Sequence, residues 1–271
     1  MSIQSDTRNM ALFCDFENIA LGVRDAKYAK LDINRVLERL LLKGSIVVKK
    51  AYCDWDRYKE FKAAMHGASF ELIEIPHLRQ SGKNSADIRM VVDALDLCYT
   101  KQHVDTFVIV SGDSDFSPLV SKLRENAKTV IGVGVKNSSS DLLIANCDEF
   151  IYYDDLVREE EAKRRAAKKR REARPAGTLK DAAPTDDKKQ EAFDLVIETL
   201  QALIAERGEG EKIWGSMVKQ ALKRRKPGFN ESYYGFKAFS DLLEDAEKRK
   251  LVTLERDEKS GGYIIRPTTG A

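Results

Sequence analysis

Aspartates follow two separate apolar runs of the sequence, a placement that suits metal chemistry. Asp15 comes directly after the first apolar run of the chain. Ser111, Asp113 and Asp115 follow a later run, within the segment SGDSDF. A carboxylate beside a buried strand end costs free energy unless a partner compensates its charge. The pattern therefore predicts that these acids share a cation.

A further acid lies in a helical pattern between the two runs. Asp87 is at helical spacing with three apolar positions of the segment 85–98. This spacing places its carboxylate on the helix face that packs against the sheet. Asp93 and Asp96 fall on other faces, where we expect them to be solvated.

The ligand type predicts which cation this is. Oxygen ligands without cysteine or histidine nearby favour Mg²⁺ or Mn²⁺ over zinc. Such a cation would position a water molecule, lower its pKa and stabilise charge developing on a phosphoryl group. Simpler explanations exist for each residue: Asp15 and Asp113 as turn formers, Asp87 and Asp115 as first-turn helix acids, and Ser114 as a helix N-cap. Because three separate elements bring acids to one edge of the sheet, we favour a shared cation over these separate explanations.

The elements that position these acids alternate between strands and helices. Short apolar runs predict buried strands at 10–14, 46–53, 70–75, 106–110, 129–135 and 150–153. Helical spacing of apolar residues predicts helices at 33–42, 87–98 and 116–123. The alternation predicts an α/β fold with a parallel sheet covered on both faces. Ligands bind such sheets at the carboxyl ends of the strands, where the acids lie.

The middle of the chain changes character and carries the basic excess. Residues 155–188 hold 11 Lys and Arg against 8 Asp and Glu, whereas the whole chain has a net charge of +2. The stretch 163–174 contains eight basic residues and one acid. It reads either as a solvated helical extension and linker or as a basic arm for phosphate backbones.

The last part of the chain has its own pattern. Amphipathic helices are predicted at 192–204, 213–222 and 234–246, followed by strands at 251–254 and 263–265 around a Gly-Gly turn at Gly261 and Gly262. Three helices and a β-hairpin follow the order of a winged helix. We therefore divide the chain into a domain at 8–155, a basic charged helical linker at 156–188 and a second domain at 189–267.

The bulk composition narrows the class of protein. The four cysteines are far apart and form no CxxC pair, which argues against a zinc site and favours buried free thiols. The first residues lack the apolar region of a signal peptide, and no run approaches 18 apolar residues. We expect a cytoplasmic protein without a membrane partner.

The segments FCDFEN at 13–18, KNSAD at 83–87 and SGDSDF at 111–116 resemble the NYN family of PIN-like nucleases, in its LabA-like branch. The resemblance covers about residues 8–155. It implies a Rossmann-like, PIN-like three-layer α/β/α fold with a parallel sheet and with metal-dependent endo- or exoribonuclease activity. By this resemblance the metal site comprises Asp15, Asp87, Asp113 and Asp115, supported by Asn18 and Ser111, with Lys83 near phosphate and Asp141 as an additional acid.

The segment 229–239, the pair Leu242-Leu243 and the closing hairpin resemble the LOTUS (OST-HTH) domain, a small α+β winged helix that binds RNA. Our candidates for RNA contact are Lys83, Lys136, Lys219, Lys223, Arg224, Arg225, Lys226 and Tyr233. The basic cluster could instead satisfy the dipole at the end of its helix. Of Tyr233 and Tyr234, one is expected to stack on bases and the other to be core.

Three functions remain open at this point. The favoured one is a ribonuclease that uses Mg²⁺ or Mn²⁺ and is guided to single-stranded or structured RNA by its C-terminal winged helix. The second is a non-catalytic RNA-binding regulator. The third, a small-molecule phosphatase, is disfavoured because the segment DFE at 15–17 lacks the D-x-D order of one large phosphatase class. The sequence leaves open whether the chain forms a homodimer.

Overall fold

The structure is a computed structural model that describes residues 8–75, 85–172, 184–208, 210–257 and 261–268. Two compact units make up the chain, and the main division along it falls between Lys169 and Arg170. Each unit has its own hydrophobic core, so each is described by itself.

The first unit is built on a six-stranded sheet whose strand pairs are all parallel. The strands, in chain order, are β1 (Arg8–Asp15), β2 (Gly44–Cys53), β3 (Glu71–Glu74), β4 (Thr106–Val110), β5 (Thr129–Gly134) and β6 (Glu149–Tyr152). Their order across the sheet is β3-β2-β1-β4-β5-β6, so the direction of winding reverses between β1 and β4. Open parallel sheets bind ligands at such a reversal.

Helices cover both faces of this sheet. They are α1 (Phe16–Asp25), α2 (Ile33–Lys43), α3 (Lys59–Gly67), α4 (Ser85–Thr100), α5 (Ser117–Glu125), α6 (Asp141–Asn146) and α7 (Tyr153–Glu172), with a 3₁₀ turn at Ser114–Phe116. Alternate side chains of β1 enter different cores, because successive strand residues point to opposite faces. Leu12 packs in a core with α1, α2, α3 and α7, whereas Phe13 packs in one with α4, α5 and α6. The predicted three-layer α/β/α fold is confirmed.

The predicted strands match the observed ones to within two residues at either end. Three short helices were not predicted: α1, α3 and α6. Helix α1 begins immediately where β1 ends, with the Asp15 carboxylate accepting from the Asn18 amide as its N-cap. A strand that passes into a helix without a loop gives no break in the sequence, and this explains the omission.

The second unit contains α8 (Pro184–Arg207), α9 (Gly215–Arg225), α10 (Phe239–Lys248), a 3₁₀ turn at Glu231–Tyr234, and the antiparallel strands β7 (Val252–Arg256) and β8 (Tyr263–Pro267). Phe193, Leu222 and Leu242 are among its buried core residues. Three helices followed by a hairpin match the predicted order. Six residues separate the two strands, and Gly261 and Gly262 lie in this connection directly before β8, with Gly261 at a positive φ of 68°.

Several other expectations concern single features. All four cysteines are free, and Cys14, Cys53 and Cys98 are buried. Among the described helices, none is both long and apolar enough to span a membrane. Helix α7 carries the chain into the predicted linker as far as Glu172, but most side chains of the basic stretch 163–174 lie outside the described residues.

Candidate functional site

Neighbouring strands bring the acids of the two apolar runs together. β1 and β4 pair in parallel with Cys14 opposite Val110, so the residues that follow them meet at the carboxyl edge of the sheet. Asp15 is 9% exposed, Asp113 is half-buried and Asp115 is exposed. The carboxylates at this edge therefore differ in burial, from buried Asp15 to exposed Asp115.

A network of hydrogen bonds orients the deepest carboxylate. The Ser111 hydroxyl donates to Asp15 Oδ2 at 3.0 Å, and the Asn18 amide N–H donates to Asp15 Oδ1 at 3.3 Å. Asn18 also accepts from the Gly112 amide at 2.8 Å, and Ser111 accepts from the Asp113 amide at 3.2 Å. Both residues expected to support the site thus contact it, and they bind β1 to the turn after β4.

The turn after β4 needs glycine at position 112, because another backbone segment packs directly against it. A Cβ at Gly112 would stand 2.3 Å from the Ser138 carbonyl oxygen. The Ser140 amide donates to the Gly112 carbonyl at 2.8 Å. A side chain here would push the loop after β5 away from the site, so glycine is required by close approach of the two backbones.

Asp87 joins the site from α4, on the face of the sheet that Asp15 shares. Burial raises its pKa, and the negative charges of Asp113, Asp115 and Glu17 raise it further. The pKa of Asp15 is raised to about 7, mainly because burial penalises the charged carboxylate and then because Asp87 is also negative. The hydrogen bonds that Ser111 and Asn18 donate to Asp15 lower its pKa, because they stabilise the charged carboxylate. These acids therefore repel one another within one site.

Among the residues that the structure describes, the four acids have no cationic partner. Across residues 8–75 and 85–172, neither Asp15, Asp87, Asp113 nor Asp115 forms an ion pair with a basic side chain. No three acidic, histidine or cysteine side chains of the described chain stand close enough together to enclose one metal ion. Within the described part of the chain the site is therefore an open cluster of carboxylates without a cationic partner, rather than a closed cage around one ion.

Asp113 also has a local structural role. Its carboxylate accepts from the Asp115 amide at 3.0 Å and caps the 3₁₀ turn at Ser114–Phe116. The expectation that Ser114 is the N-cap is therefore wrong, because the residue before it holds that position. The cap uses Oδ1 of Asp113, and for Oδ2 the described residues provide no hydrogen bond. One oxygen of Asp113 can still act as a ligand.

One acid differs from its expected place, and a further acid lies near the site. Asp93 is not solvated: its carboxylate, 13% exposed, accepts from the Tyr52 hydroxyl at 2.9 Å and from Arg89 Nε at 3.0 Å. Tyr52 on β2 sits beneath α4, so Asp93 faces the sheet edge and anchors the helix. Glu17, which the sequence analysis does not single out, adds negative charge near Asp87 and pairs with Arg57 at 3.2 Å. Its position two residues after Asp15 is the sequence signal that could have identified it as a neighbour of the site.

The remaining candidates of the first unit contribute less. Asp141 is the exposed first residue of α6 and has no described contact with the four acids. Lys136 is exposed after β5, and its backbone amide donates to Asp154 at 2.8 Å. Lys83 lies outside the described residues.

The basic cluster of the second unit divides into paired and exposed residues. Lys219 pairs with Glu231 at 2.8 Å, and Arg225 pairs with Glu198 at 2.7 Å. Of the others, Arg224 is half-buried, whereas Lys223 and Lys226 are exposed. The cluster is thus partly structural.

The two tyrosines of this unit have different surroundings. Tyr234 is buried, whereas Tyr233 is 61% exposed. The Lys188 ammonium lies 4.6 Å from the centroid of the Tyr233 ring. Tyr233 therefore provides an exposed aromatic face beside a cation, while Tyr234 belongs to the core.

Comparison with known proteins agrees with both units. The NYN domain model matches residues 9–154, and the OST-HTH/LOTUS domain model matches residues 193–264. The chain therefore belongs to the NYN domain family and carries a C-terminal OST-HTH/LOTUS domain. NYN domains are part of a nuclease superfamily and LOTUS domains are RNA-binding modules, so the two domains point to an RNA-related function.

Individual relatives cover only part of the chain. The uncharacterized protein MJ0482 of Methanocaldococcus jannaschii is 28% identical over 117 residues, 43% of this chain and 45% of that protein. Meiosis regulator and mRNA stability factor 1 of Xenopus tropicalis is 26% identical over 157 residues, 58% of this chain but 9% of that protein. The crystal structure of VPA0982 from Vibrio parahaemolyticus, a protein of unknown function, matches with a TM-score of 0.50 and 28% identity, covering 57% of this chain and 98% of that one.

Proposed function

We propose that the chain is a ribonuclease that hydrolyses RNA phosphodiesters with Mg²⁺ or Mn²⁺ held by its carboxylates. The observation that carries the proposal is Asp15. This buried carboxylate, with its pKa raised to about 7, faces the negative charges of Asp87 and Asp113 and has no cation partner among the described residues. A site that concentrates like charges without compensation is costly in the free protein. It gains most from a divalent cation.

The ligand set suits that cation. Asp15, Asp87 and Asp113 would hold it, with Asp115 at the exposed rim, and all four offer the hard oxygen atoms that Mg²⁺ and Mn²⁺ prefer. When bound, the ion supplies positive charge that stabilises a phosphoryl group in the transition state and lowers the pKa of a water molecule.

The chain's own residues orient these ligands. Ser111 and Asn18 each occupy one oxygen of Asp15 with a single hydrogen bond, and a carboxylate with about four lone-pair sites keeps further capacity. Asp113 keeps one oxygen outside its cap. Because Ser111 also accepts from the Asp113 amide, it ties the direction of both carboxylates to the same hydroxyl.

The second unit has exposed side chains that suit RNA binding. Exposed Tyr233, with Lys188 beside it, and exposed Lys223 and Lys226 suit base stacking and phosphate contact. We assign nuclease chemistry to 8–155, RNA recruitment to 189–267 and the connection to 156–188. The Xenopus relative is named for mRNA stability, which is consistent with this proposal for the shared region.

The second candidate is a non-catalytic RNA-binding regulator. The observation in its favour is the spacing of the acids, since no three of the described ones already enclose an ion. The two candidates differ in one measurable property, turnover.

Cleavage of labelled single-stranded RNA in Mg²⁺ or Mn²⁺ separates them. Asp113→Asn should reduce the rate at least a hundredfold, whereas Asp96→Asn, which alters an exposed acid of α4 outside the site, should leave it unchanged. Equal cleavage by the wild type and Asp113→Asn overturns the site. RNA binding by the wild type without cleavage establishes the regulator instead.

A further inference from the structure

A pocket of about 190 Å³ opens beside the carboxyl ends of β1 and β2, apart from the carboxylates. Three segments form it: the start of α1, the connection into α2, and α3. Its principal lining residues are Phe16, Lys30, Leu31, Asn34, Phe61 and Met65. Nothing in the proposed chemistry of the acids uses this pocket.

The interior of the pocket is apolar and partly aromatic. Phe16 and Met65 are fully buried and form its floor. The half-buried Phe61 ring stands 5.1 Å from Phe16, with the ring planes at 64°. An aromatic wall held by a second ring has a defined orientation, so it can receive a flat ligand by stacking.

The rim adds two polar side chains, Lys30 and Asn34, that form no ion pair or hydrogen bond with a described residue. The lining acid Asp32 is engaged: its carboxylate accepts from the Asn34 backbone amide at 3.1 Å and lies 3.5 Å from Arg35. The Lys30 ammonium lies 4.5 Å from the centroid of the Phe61 ring, and no described acid pairs with it. The side-chain amide of Asn34 is exposed and has no hydrogen bond to any described residue. A flat apolar surface, one cation and one amide together match an aromatic heterocycle attached to a phosphate.

The position of the pocket relates it to the acids. Phe16 directly follows Asp15, so the pocket floor begins one residue from the deepest carboxylate. Asp15 continues the β1 face that carries α4, whereas Phe16 belongs to the core of α1, α2 and α3. A chain lying across the carboxyl edge of the sheet would thus reach the acids on one side and the pocket on the other.

We propose that this pocket binds a nucleobase of the RNA, from a nucleotide next to the phosphodiester held at Asp15. The inference rests on the proposed function and names how that site grips its substrate. The base stacks on Phe61 in the place that the Lys30 ammonium holds in the free protein. Lys30 turns from the ring to the adjoining phosphate, and Asn34 meets the polar edge of the base. Stacking of this kind tolerates every base, so it serves a single-stranded substrate better than a duplex.

Photocrosslinking locates the base directly. The full chain is irradiated with short single-stranded RNA that carries 4-thiouridine at each position in turn, in Ca²⁺, an oxygen-ligated cation that neutralises the carboxylates. Peptide mapping should find a crosslink within 30–34 or 58–65 for one or two RNA positions only. Crosslinks confined to other parts of the chain overturn the proposal.

Matched variants test the residues. The double variant Lys30→Ala/Asn34→Ala alters only exposed side chains and should lower the crosslink yield in this pocket about tenfold. Phe61→Leu keeps the pocket apolar but removes the ring, and should act similarly. Lys101→Ala, an exposed lysine at the end of the sheet where β4 begins, should have no effect. An unchanged yield in both pocket variants contradicts the assignment.

The outcome is separable from that of the ribonuclease proposal. A crosslink in the pocket without RNA cleavage by the wild type supports the pocket and rejects catalysis. Cleavage without a pocket crosslink, at a rate that the pocket variants leave unchanged, does the reverse. Crosslinking of an apolar peptide instead of RNA would show that the pocket receives a protein side chain and would overturn the nucleobase assignment.

Discussion

The Ser111 hydroxyl donates a 3.0 Å hydrogen bond to the carboxylate of Asp15, joining the end of β4 to the end of β1. The same hydroxyl oxygen accepts from the Asp113 amide at 3.2 Å. Ser111 is completely buried, so water cannot replace either bond. One small side chain therefore sets the relative position of two of the proposed metal ligands.

Ser111→Ala should weaken the site and the fold together. Hydrogen bonds to charged, buried groups contribute about 1–3 kcal/mol, and the alanine leaves Asp15 with one donor fewer. We expect the free energy of unfolding to fall by about that amount and Mn²⁺ affinity to fall about tenfold. Ser114→Ala is the matched control, because no described hydrogen bond involves its hydroxyl. Equal Mn²⁺ affinity in both variants would argue against Ser111 as a positioning residue.

Asp15→Asn should stabilise the protein when divalent cations are absent. Because folding raises the pKa of Asp15 from 3.8 to about 7, the folded state binds more protons than the unfolded chain between these values. The contribution of this acid is complete below pH 4 and is lost as pH rises towards 7. In EDTA at pH 8 the variant should be more stable than wild type by up to about 4 kcal/mol. At pH 4 the difference should vanish.

Thermal unfolding at both pH values provides the measurement, with Asp96→Asn as the exposed control. A wild type whose stability is the same at pH 5 and pH 8, or a variant that is less stable at pH 8, would contradict the raised pKa of Asp15. An asparagine can keep both contacts, since its oxygen accepts from Asn18 and the Ser111 hydroxyl can turn to accept from its amide.

The sequence predicted the architecture well because its signals were local and strong. β4 consists of Thr106 and four apolar residues, with polar residues on both sides, and its predicted bounds are those observed, Thr106–Val110. Asp15 and Asp113 were expected at one edge because parallel strands end together, and Asp87 because its helical spacing faces the sheet. The structure brings the three acids within electrostatic range. Helix α1 was not predicted, because its N-cap, Asp15, is also the last residue of β1.

Long-range pairings were not predictable. Asp93 was expected in solvent because helical spacing alone puts it off the central apolar stripe. Its environment depends on Tyr52, 41 residues earlier in the sequence, whose hydroxyl reaches it from β2. The pocket at Phe61 likewise combines three segments that no periodicity connects. Side chains that meet only through tertiary packing leave no pattern in a single sequence.

Asp93→Ala should loosen α4 and thereby displace Asp87. The substitution leaves the Tyr52 hydroxyl and Arg89 without their shared acceptor, which costs about 1–3 kcal/mol. We expect lower stability and a weaker Mn²⁺ affinity, with partial rescue of both by Asp93→Asn, which restores one acceptor. Asp96→Ala on the same helix should change neither. Loss of stability with unaltered Mn²⁺ affinity would show that the anchor is structural only.

Tyr233→Ala should weaken RNA binding without unfolding the second unit. Its ring is 61% exposed, so truncation removes stacking, worth about 1–3 kcal/mol per base, rather than core packing. Adding Lys223→Ala and Lys226→Ala should also flatten the salt dependence of binding. Fluorescence anisotropy across a salt series measures both effects.

Two controls define the RNA-binding surface of the second unit. Lys248→Ala, at an exposed position of α10, should leave RNA affinity unchanged. Arg225→Ala removes a residue paired with Glu198 and should lower stability more than RNA affinity. RNA affinity that is insensitive to Tyr233 and the two lysines would place the contact surface elsewhere.

The central claim is that the acids at the edge of β1 and β4 bind a divalent cation. Calorimetric titration of the full chain with Mn²⁺ at pH 7.5 tests it without requiring substrate. We predict saturable binding by the wild type and by Asp96→Asn, and at least a tenfold loss of affinity in Asp15→Asn and in Asp87→Asn. Saturable binding of equal strength in all four proteins, or none in the wild type, would contradict the account.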